Sequence, residues 1–483
     1  MKVMLHGFGS FPVVFYHVIT YAKIAYPTVD WSIILTTDHY ASLFERLLGS
    51  ENVYVYSASD KDGSRERGEE AAEYCGPLFQ DIEAEKVTLK HQDSEYQTNY
   101  AVGIYHAARR FMWRIKPDVA LVSQVEGFDG KAFIAAARSV NAMIAVPTGC
   151  RNIGGIYFSP DDLETFPRYA DMDRVHSRRD AAAFIEYFRL NPGDARVDVG
   201  IADDKLLPNF QPPLRVRALR SIRRWLTDPQ NIEPIFVRVA VQNNLPWLRD
   251  AIWAARTRVN QKYCHIASLD ELPTKFIYFP LQYSPESSIN TPAAFFVDQL
   301  RAIDAIRFAM PNNYRLVVKE HPACIKIRSS ALIKSVMTRS GVNVVDHRIP
   351  SIDLVKKAAI TVSVTGTATL EAFLLGRNAI TLGGSLPASL LGGTCPIHEL
   401  PQHIGAMLQL DPADGSQDND TVNALAELFA VRHKCNFGAP GSVGEPVLRA
   451  MNLKAFTDAF MVHCNKTLND QVDRNMVKNE FNS

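Results

Sequence analysis

The sequence predicts an α/β protein built from two doubly wound, Rossmann-like domains that face a cleft. At 483 residues the chain is too long for a single compact core. Short apolar segments alternate with helical patterns twice, once within residues 1–150 and again between residues 275 and 382. Such βαβ periodicity favours parallel sheets covered on both faces, which bind ligands at the carboxyl ends of their strands.

The first alternation predicts five strands with helices between them. The strands are expected at 2–6, 31–36, 52–56, 119–123 and 143–146, and the main helices at 11–26, 97–115 and 131–140. Pro147 is expected to close the fifth strand, because proline cannot donate a ladder hydrogen bond. The polar, charged stretch at 60–95 predicts a long insertion or a mobile loop.

The second alternation predicts five further strands and their helices. The strands are expected at 275–281, 314–318, 342–345, 360–364 and 378–382, and the helices at 292–309, 324–340, 352–358 and 368–375. Gly341 and Gly376 follow two of these helices, where glycine accepts the left-handed backbone of a helix end. Ser351 is placed to cap the helix that follows it.

These patterns divide the chain into four parts. Residues 1–210 and 273–434 form the two α/β domains, residues 211–272 form a helical region between them, and residues 435–483 form a helical tail. In the helical region Arg217, Arg220 and Arg224 share one face. Such a face can contact anionic lipid headgroups, although a solvated face is the commoner use.

Composition narrows the class of protein. Basic and acidic residues balance at 52 each, so no overall field favours nucleic acid as a partner. The seven cysteines form no CxxC pair and have no metal-ligand spacing, which favours a reduced chain without a metal site. There is no signal-peptide pattern and no run of about 18 apolar residues. We therefore expect a cytoplasmic protein, with the arginine face as a candidate for peripheral contact at the inner face of the membrane.

One polar loop in the second half combines a cation with an imidazole. The strand expected at 314–318 runs into Lys319, Glu320, His321 and Pro322. Lys319 or His321 can form charge-assisted bonds to a diphosphate or a phosphate monoester. Pro322 can start the next helix and leave its first N–H groups for phosphate oxygens. The alternative is a solvated strand end followed by a proline-initiated helix.

Two further loops are expected at the same sheet edge. Thr365, Gly366 and Thr367 join a strand to a helix, where small residues let the backbone approach a phosphate closely. Glu371 lies one turn inside that helix and can accept both hydroxyls of a ribose. An ordinary capped helix is the alternative. The third loop follows the strand expected at 275–281, and its Gln282 and Ser284 could hydrogen-bond a base, a phosphate or a sugar. A polar turn is the alternative.

In the first half, Glu126 is the candidate base. The strand expected at 119–123 delivers Glu126 to the sheet edge, beside Gly127 and Gly130, which let a substrate come near. A carboxylate held near apolar residues is suited to take a proton from a hydroxyl. Asp129 is the alternative base, and a surface turn with acidic residues is the alternative use.

Gly7, Gly9 and Arg151 complete the candidate residues as contacts to an acceptor. Gly7 and Gly9 follow the first strand in a GxG string that lacks the continuation of a dinucleotide fingerprint. Close backbone packing is therefore the other use we expect for them. Arg151 follows a later strand, where it could hold an anionic acceptor or a carboxylate of the donor. An exposed loop arginine without a ligand is the alternative.

Three segments carry a resemblance to a known group of enzymes. FPLQYSPES, VVKEHP and VTGTATLEAFLLGRNAITLGG resemble the donor half of bacterial GT-B glycosyltransferases of surface and capsular polysaccharide synthesis. The combination of Glu126-Gly127, His321-Pro322 and the Thr365 and Thr367 element is similar to bacterial sialyltransferases and β-Kdo transferases. The resemblance covers about 275–385 most firmly. In one departure, Val125 stands where that group has a second acidic residue.

The resemblance implies a GT-B-like fold and a metal-independent, inverting glycosyltransferase without a cofactor. It implies a nucleotide-sugar donor, with a CMP-linked sugar favoured, and a bacterial surface glycan or lipid-linked precursor as acceptor. Residues 1–210 would then lie on the acceptor side, and residues 273–434 would bind the donor. A UDP-sugar enzyme of the same architecture, including a 2-epimerase type, and a non-catalytic glycan- or nucleotide-binding module remain the alternatives.

Overall fold

Two sheets organise the part of the chain that we describe from a computed structural model. The structure describes residues 1–67, 69–84, 89, 92–123, 125, 127–169, 173–192, 246–283, 291–322, 324–325, 328–410, 416–437 and 452–481. The arginine face predicted at 217–224 lies outside these residues. Of the predicted helical region, only 246–272 is described, and it contains a helix at Pro246–Gln261.

The first sheet has six strands in the order β3-β2-β1-β4-β5-β6. They are β1 Lys2–Gly7, β2 Asp30–Leu35, β3 Val53–Val55, β4 Val119–Leu121, β5 Met143–Gly149 and β6 Ile156–Ser159. β1 to β5 are parallel, as predicted, and β6 pairs antiparallel with β5. The prediction that Pro147 closes β5 is wrong. Beyond Ala145 the strand pairs only with β6, so the missing N–H of Pro147 is tolerated.

Six helices accompany this sheet within the described residues. They are α1 Phe11–Ala25, α2 Ala41–Leu48, α3 Leu78–Glu83, α4 Ser94–Ile115, α5 Gly127–Ser139 and α6 Arg174–Leu190. The stretch predicted as an insertion or mobile loop at 60–95 contains α3 and is anchored to α4. The backbone N–H of Arg67 donates to Asn99 Oδ1 at 3.0 Å, and both residues are buried.

The second sheet has five parallel strands in the order β11-β10-β7-β8-β9. They are β7 Phe276–Pro280, β8 Arg315–Lys319, β9 Val342–Val345, β10 Ile360–Ser363 and β11 Ala379–Thr381. In both sheets the first strand is central, the next two lie on one side, and the fourth and fifth lie on the other. This is the doubly wound order, which confirms the predicted fold class and places switch points between β1 and β4 and between β7 and β10.

Nine helices follow in the described residues of the second half. They are α7 Pro246–Gln261, α8 Gln299–Ala309, α9 Ser330–Met337, α10 Ser351–Lys357, α11 Thr367–Leu374, α12 Leu386–Leu390, α13 Leu400–Met407, α14 Ser416–Val431 and α15 Leu453–Phe481. Gly376 directly follows the cap residue of α11 with a φ angle of 66°, as predicted. Gly341 also has a positive φ of 79°, but α9 ends at Met337, so the prediction that Gly341 lies just past its helix is wrong. Within these residues, no helix has both the length and the apolar character needed to cross a membrane.

Two predicted helix starts are wrong. The helix expected from 324 begins only at Ser330, where the Ser329 hydroxyl accepts a bond from the Ala331 N–H at 3.2 Å, so Pro322 starts no helix. Ser351 is the first helical residue of α10, and Pro350 occupies the cap position. The Ser351 hydroxyl instead accepts bonds from buried side chains of the sheet.

An apolar core shared by both halves holds the sheets together. Cys150, Ile153, Tyr157, Phe166 and Tyr169 contribute from the first half, together with α6; the second half contributes residues of α11, α12 and α14. The backbone of His433 also exchanges hydrogen bonds of 2.7 and 3.0 Å with Ile156. The carboxyl ends of both sheets therefore face a common cleft.

The C-terminal helix α15 returns to the first half of the chain. Phe456 and Phe460 are completely buried in the core between α1 and the first sheet. His463 follows them and is also buried; its Nδ1 forms a hydrogen bond with the Tyr169 hydroxyl. Burial, with a smaller effect from His433, lowers the pKa of His463 to about 3.

We expect His463 to make the fold acid-sensitive. It stays neutral in the folded protein, whereas in the unfolded chain it takes up a proton below a pH of about 6.5. The unfolded state therefore gains protons first, and lowering the pH from 7 to 5 should reduce the free energy of unfolding by roughly 1–2 kcal/mol through this residue. Urea unfolding of the parent and of His463→Gln at both pH values measures this difference.

His398→Gln is the matched control, since the His398 side chain is 81% exposed. It should keep the pH dependence of the parent. An equal loss of stability between pH 7 and 5 in the parent and in His463→Gln would contradict the assignment.

Candidate functional site

A cleft of about 440 Å³ lies between the carboxyl edges of the two sheets. The first half contributes Gly149, Arg151 and Glu164. The second half contributes Pro280, Leu281, Gln282, Tyr283, His321, Pro322, Ser351, Gly366, Thr367, Ala368 and Glu371. The cleft therefore brings together residues from all three predicted loops of the second half. Arg151 joins them from the other domain.

The loops after β7 and β10 meet at the switch point of the second sheet. Ser363 Oγ accepts bonds from Gln282 Nε2 at 3.0 Å and from the Gly366 N–H at 2.8 Å. A Cβ atom on Gly366 would lie 2.6 Å from Gln282 Nε2. A side chain at position 366 would displace the Gln282 amide or the Ser363 hydroxyl, and these two bonds hold the start of α11 beside the cleft.

The amino-terminal end of α11 is suited to bind an anion. Gly366 is its cap residue and supplies no side-chain hydrogen bond to the first turn. Gly366, Thr367 and Ala368 all line the cleft. The first N–H groups of a helix lack partners within the helix and carry its positive dipole end, which favours a phosphate group.

His321 and Pro322 lie opposite this helix end, on an exposed turn after β8. The His321 ring meets the Tyr283 ring edge-on, with ring centroids 5.7 Å apart. Its carbonyl oxygen accepts a bond from the Cys324 N–H at 2.8 Å, which closes the turn. The imidazole is therefore presented at the mouth of the cleft, where it can meet a ligand.

Glu320 lies beneath this turn and does not line the cleft, contrary to its predicted binding role. It is buried, and its two carboxylate oxygens accept bonds of 2.9 and 3.0 Å from Arg328. One of them also accepts a bond from the His321 N–H at 2.7 Å. Arg328 further donates to the Gln282 carbonyl oxygen at 2.6 Å. This buried ion pair therefore joins the His321 loop to the Gln282 loop.

Lys319 is likewise buried at the end of β8. Its Nζ donates to Ser351 Oγ at 3.1 Å, and the Tyr278 hydroxyl donates to the same oxygen at 3.1 Å. Burial lowers the pKa of Lys319, although the nearby charge of Glu371 acts in the opposite direction. Lys319 thus places a positive charge behind the cleft wall and makes no direct contact with the cleft.

Glu371 is half-buried in the cleft wall. Burial raises its pKa to about 7, while the charge of Lys319 and a hydrogen bond from Asn152 act to lower it. Because Asn152 belongs to the first half, this carboxyl joins the two domains. The carboxyl of Glu371 therefore takes up or releases its proton near neutral pH, and this changes its ability to accept hydrogen bonds from hydroxyl groups.

Thr365 directs its backbone rather than its hydroxyl toward the first half. Its carbonyl oxygen accepts a bond from Arg151 Nη1 at 2.9 Å. Its hydroxyl is buried and has no hydrogen-bond partner among the described residues. Arg151 Nη2 also donates to Glu164 Oε2 at 2.6 Å. Arg151, predicted as an acceptor contact, therefore lies against the wall of the cleft that the second half forms.

Glu126 and Ser284 lie outside the described residues. Next to Glu126, the Val125 carbonyl oxygen accepts a bond from Thr291 Oγ1 at 2.6 Å, which ties this loop to the second half. Asp129 is half-buried in the first turn of α5, and its charge contributes, after burial, to raising the pKa of Tyr56.

The two glycines after β1 differ in their surroundings. A Cβ on Gly7 would lie 2.6 Å from the Leu35 side chain, so Gly7 allows close packing of β1 on β2. Gly9 has a φ angle of 57° and open space around it. Neither is among the residues that line the cleft.

Four residues that the sequence reasoning missed hold this site together: Asn152, Glu164, Thr291 and Arg328. Each forms contacts between loops or between domains, and none lies at a position that a helical or strand pattern predicts. The sequence around Glu164 is rich in proline and aspartate and contains no pattern that singles out this residue. In the described part of the chain, no group of three or more His, Cys, Asp or Glu side chains could hold a metal ion.

Comparison with protein families finds one match. A family described as "Capsule polysaccharide biosynthesis protein" matches residues 249–388, which include the loops of the second half that line the cleft. A comparison with curated proteins finds no match.

Solved structures with related architecture include two kinds of enzyme. A β-Kdo 2,7 transferase, KpsC of Thermosulfurimonas dismutans, is 12% identical, with 88% of this chain and 90% of that chain covered and a TM-score of 0.33. The UDP-GlcNAc 2-epimerase of Methanocaldococcus jannaschii is 12% identical, with 85% and 94% covered and a TM-score of 0.24. The Neisseria meningitidis UDP-GlcNAc 2-epimerase bound to UDP-GlcNAc is 12% identical, with 93% and 100% covered and a TM-score of 0.24.

We expect the Glu320–Arg328 pair to be a structural requirement of the site. Arg328→Met leaves a buried carboxylate without its partner and should lower the free energy of unfolding by about 3–5 kcal/mol. Adding Glu320→Gln should restore part of that loss, because the unpaired charge is then gone. Denaturant unfolding of the parent, both single variants and the double variant measures the coupling.

Arg168→Met is the control, since Arg168 and Glu427 form an ion pair at 3.0 Å whose side chains are 72% and 41% exposed. Its loss should cost less than about 1 kcal/mol. A similarly small effect of Arg328→Met would refute the structural role.

Proposed function

We propose that the protein is a GT-B glycosyltransferase that moves a sugar from a nucleotide-sugar donor to a bacterial surface glycan or its lipid-linked precursor. The observation that carries this proposal is the donor wall of the cleft. There His321, the amino-terminal end of α11 and Glu371 line one cavity at the switch point of a doubly wound sheet. The match of residues 249–388 to a capsule polysaccharide biosynthesis family supports the same reading.

The donor would lie along this wall with its phosphate at the start of α11. The N–H groups at Thr367 and Ala368 and the imidazole of His321 would bind the phosphate oxygens, where negative charge builds up as the sugar leaves. Glu371 would accept the ribose hydroxyls one turn further along the same helix. Lys319 would act through its charge from behind the wall.

The acceptor would enter from the first half. Glu126 would take the proton from the acceptor hydroxyl, with Asp129 as the alternative base. Direct attack of that oxygen on the sugar carbon would break the bond to the phosphate and invert the anomeric centre. The bond from Thr291 to Val125 supports this assignment, because it holds the residue before Glu126 against the second half.

A CMP-linked sugar is the favoured donor, on the resemblance of the His321-Pro322 and threonine elements. A UDP-sugar enzyme, of transferase or 2-epimerase type, is the second candidate. Epimerases of that kind are among the related solved structures, one of them bound to UDP-GlcNAc.

Nucleotide binding and transfer test the proposal together. Thermal melting with CMP, CDP, UDP and GDP should raise the melting temperature most with CMP, because a ligand that binds only the folded state stabilises it. Glu126→Gln should lower transfer by at least about 100-fold, as loss of a general base does. Its nucleotide-induced shift should stay within error of the parent.

A shift with UDP but none with CMP or CDP would overturn the donor assignment. Nucleotide binding by a parent protein that transfers no sugar to any glycan acceptor would favour a binding module. If Glu126→Gln keeps full transfer, Asp129→Asn is measured next. Loss of transfer in Asp129→Asn would identify Asp129 as the base, whereas full transfer in both variants would show that the proposed site is wrong.

Nucleotide affinity should depend on pH through Glu371. Only the ionised carboxylate accepts two ribose hydroxyls, and the pKa of about 7 makes this form dominant at pH 8 and scarce at pH 6. Affinity should therefore fall about tenfold between pH 8 and pH 6. Calorimetric titration of the parent and of Glu371→Gln measures the dependence.

The matched control is the 2′,3′-dideoxynucleotide, which keeps the phosphate and its titration but lacks both hydroxyls. Its affinity, and that of Glu371→Gln for the ordinary nucleotide, should show only the residual pH dependence of the phosphate. The same tenfold loss with the dideoxynucleotide would exclude Glu371 as the ribose contact.

A further inference from the structure

Arg151 reaches from the first half to the anion-binding end of α11. Its Nη1 lies 2.9 Å from the carbonyl oxygen of Thr365, the residue just before the cap residue Gly366. Its side chain is only 16% exposed and lines the cleft together with His321 and Thr367. The guanidinium is thus fixed on the donor wall, although the chain places it in the other domain.

Glu164 holds Arg151 in this position. Its Oε2 accepts bonds from Arg151 Nη2 at 2.6 Å and from the Leu386 N–H at 2.8 Å. Its carbonyl oxygen accepts bonds from the Tyr157 hydroxyl at 2.6 Å and from Ser389 Oγ at 3.3 Å. Glu164 is therefore secured by both domains, and its carboxylate has little freedom to leave the guanidinium.

Both partners have a left-handed backbone, with φ angles of 53° for Arg151 and 59° for Glu164. The other two described non-glycine residues with positive φ are Lys116, which ends α4, and Asn141, which follows α5. A helix end explains those two, but not Arg151 and Glu164. Unfavourable backbone of this kind persists where surrounding contacts enforce it, and it concentrates at ligand sites.

We propose that Arg151 binds the phosphate that leaves with the nucleotide and that Glu164 is its positioning residue. The inference rests on the proposed function and replaces the acceptor-side role that the sequence suggested for Arg151. A guanidinium binds phosphate oxygens with paired N–H groups, and its charge stays constant over the working pH range. The leaving phosphate would then be bound by the end of α11 on one side and by Arg151 on the other.

The test compares a nucleotide with its own nucleoside, which isolates the phosphate contribution to binding. The ligand pair is the tightest binder among CMP, CDP, UDP and GDP, with the matching cytidine, uridine or guanosine. Arg151→Asn removes the guanidinium, and asparagine tolerates the left-handed backbone. We expect it to weaken nucleotide binding 10- to 100-fold and to leave nucleoside binding within about twofold of the parent.

Glu164→Gln tests the positioning role, because it keeps an oxygen for the Leu386 N–H but removes the charge that orients Arg151. It should weaken nucleotide binding about 3- to 10-fold, again with the nucleoside unaffected. Arg151→Lys should recover part of the nucleotide affinity that Arg151→Asn loses. Arg168→Gln is the matched control, since Arg168 forms an exposed ion pair with Glu427 at 3.0 Å between the same two halves. The ratio of its nucleotide affinity to its nucleoside affinity should equal that of the parent.

The outcomes separate the inference from the proposed function. If the parent binds none of the four nucleotides, both are overturned. If the parent prefers nucleotide over nucleoside and Arg151→Asn keeps that preference, only the inference fails. Equal losses of nucleotide and nucleoside would show a purely structural role and would also overturn it. Should Arg151→Asn not fold, the same ratio measured with Glu164→Gln and Arg151→Lys decides.

Discussion

The shared apolar core between the two halves is the constraint on which the rest of the structure depends. Leu370, Phe373 and Leu374 turn one side of α11 into this core, where they pack with residues such as Tyr157 and Phe166 of the first half. The same helix presents its positive end to the cleft. A wide opening of the cleft would expose this apolar surface to water. The site is therefore largely pre-formed, and any water exclusion must come from loops at its mouth rather than from a free hinge.

Buried polar contacts set the geometry of the cleft wall that the second domain forms. Arg328 and Glu320 join the loops after β7 and β8, and Ser363 joins the loops after β7 and β10. Each contact is internal to the second domain. Arg151, Asn152 and Thr291 add contacts between the domains. The two sets fix the loops in different directions, so contacts within the second domain shape its wall of the cleft while contacts between the domains set the position of that wall relative to the first half.

Periodicity made the two sheets and their polar edges predictable, because strand and helix patterns are local properties of the chain. The start of α9 was not, since Arg328 folds back onto Glu320 and the helix begins only at Ser330. The pairing of Glu320 with Arg328 was equally hidden, because a carboxylate next to a polar loop looks identical in sequence whether it faces a ligand or an arginine. Glu164 and Asn152 depend on contacts between distant segments, which no local pattern encodes. β5 also ends later than expected. Beyond Ala145 it pairs only with β6, so the missing N–H of Pro147 costs no hydrogen bond to a second strand.

The position of α15 has a consequence for the order in which the protein is made. Phe456 and Phe460 complete the core of the first sheet, yet they are synthesised after the whole second sheet. On the ribosome, the nascent first sheet must wait with part of its apolar surface uncovered until these residues emerge. The second sheet draws its own strands from a contiguous stretch and has no such delay. The first half is therefore the part of the chain that keeps one apolar face uncovered until synthesis is nearly finished, and this face is the one that most needs protection from aggregation.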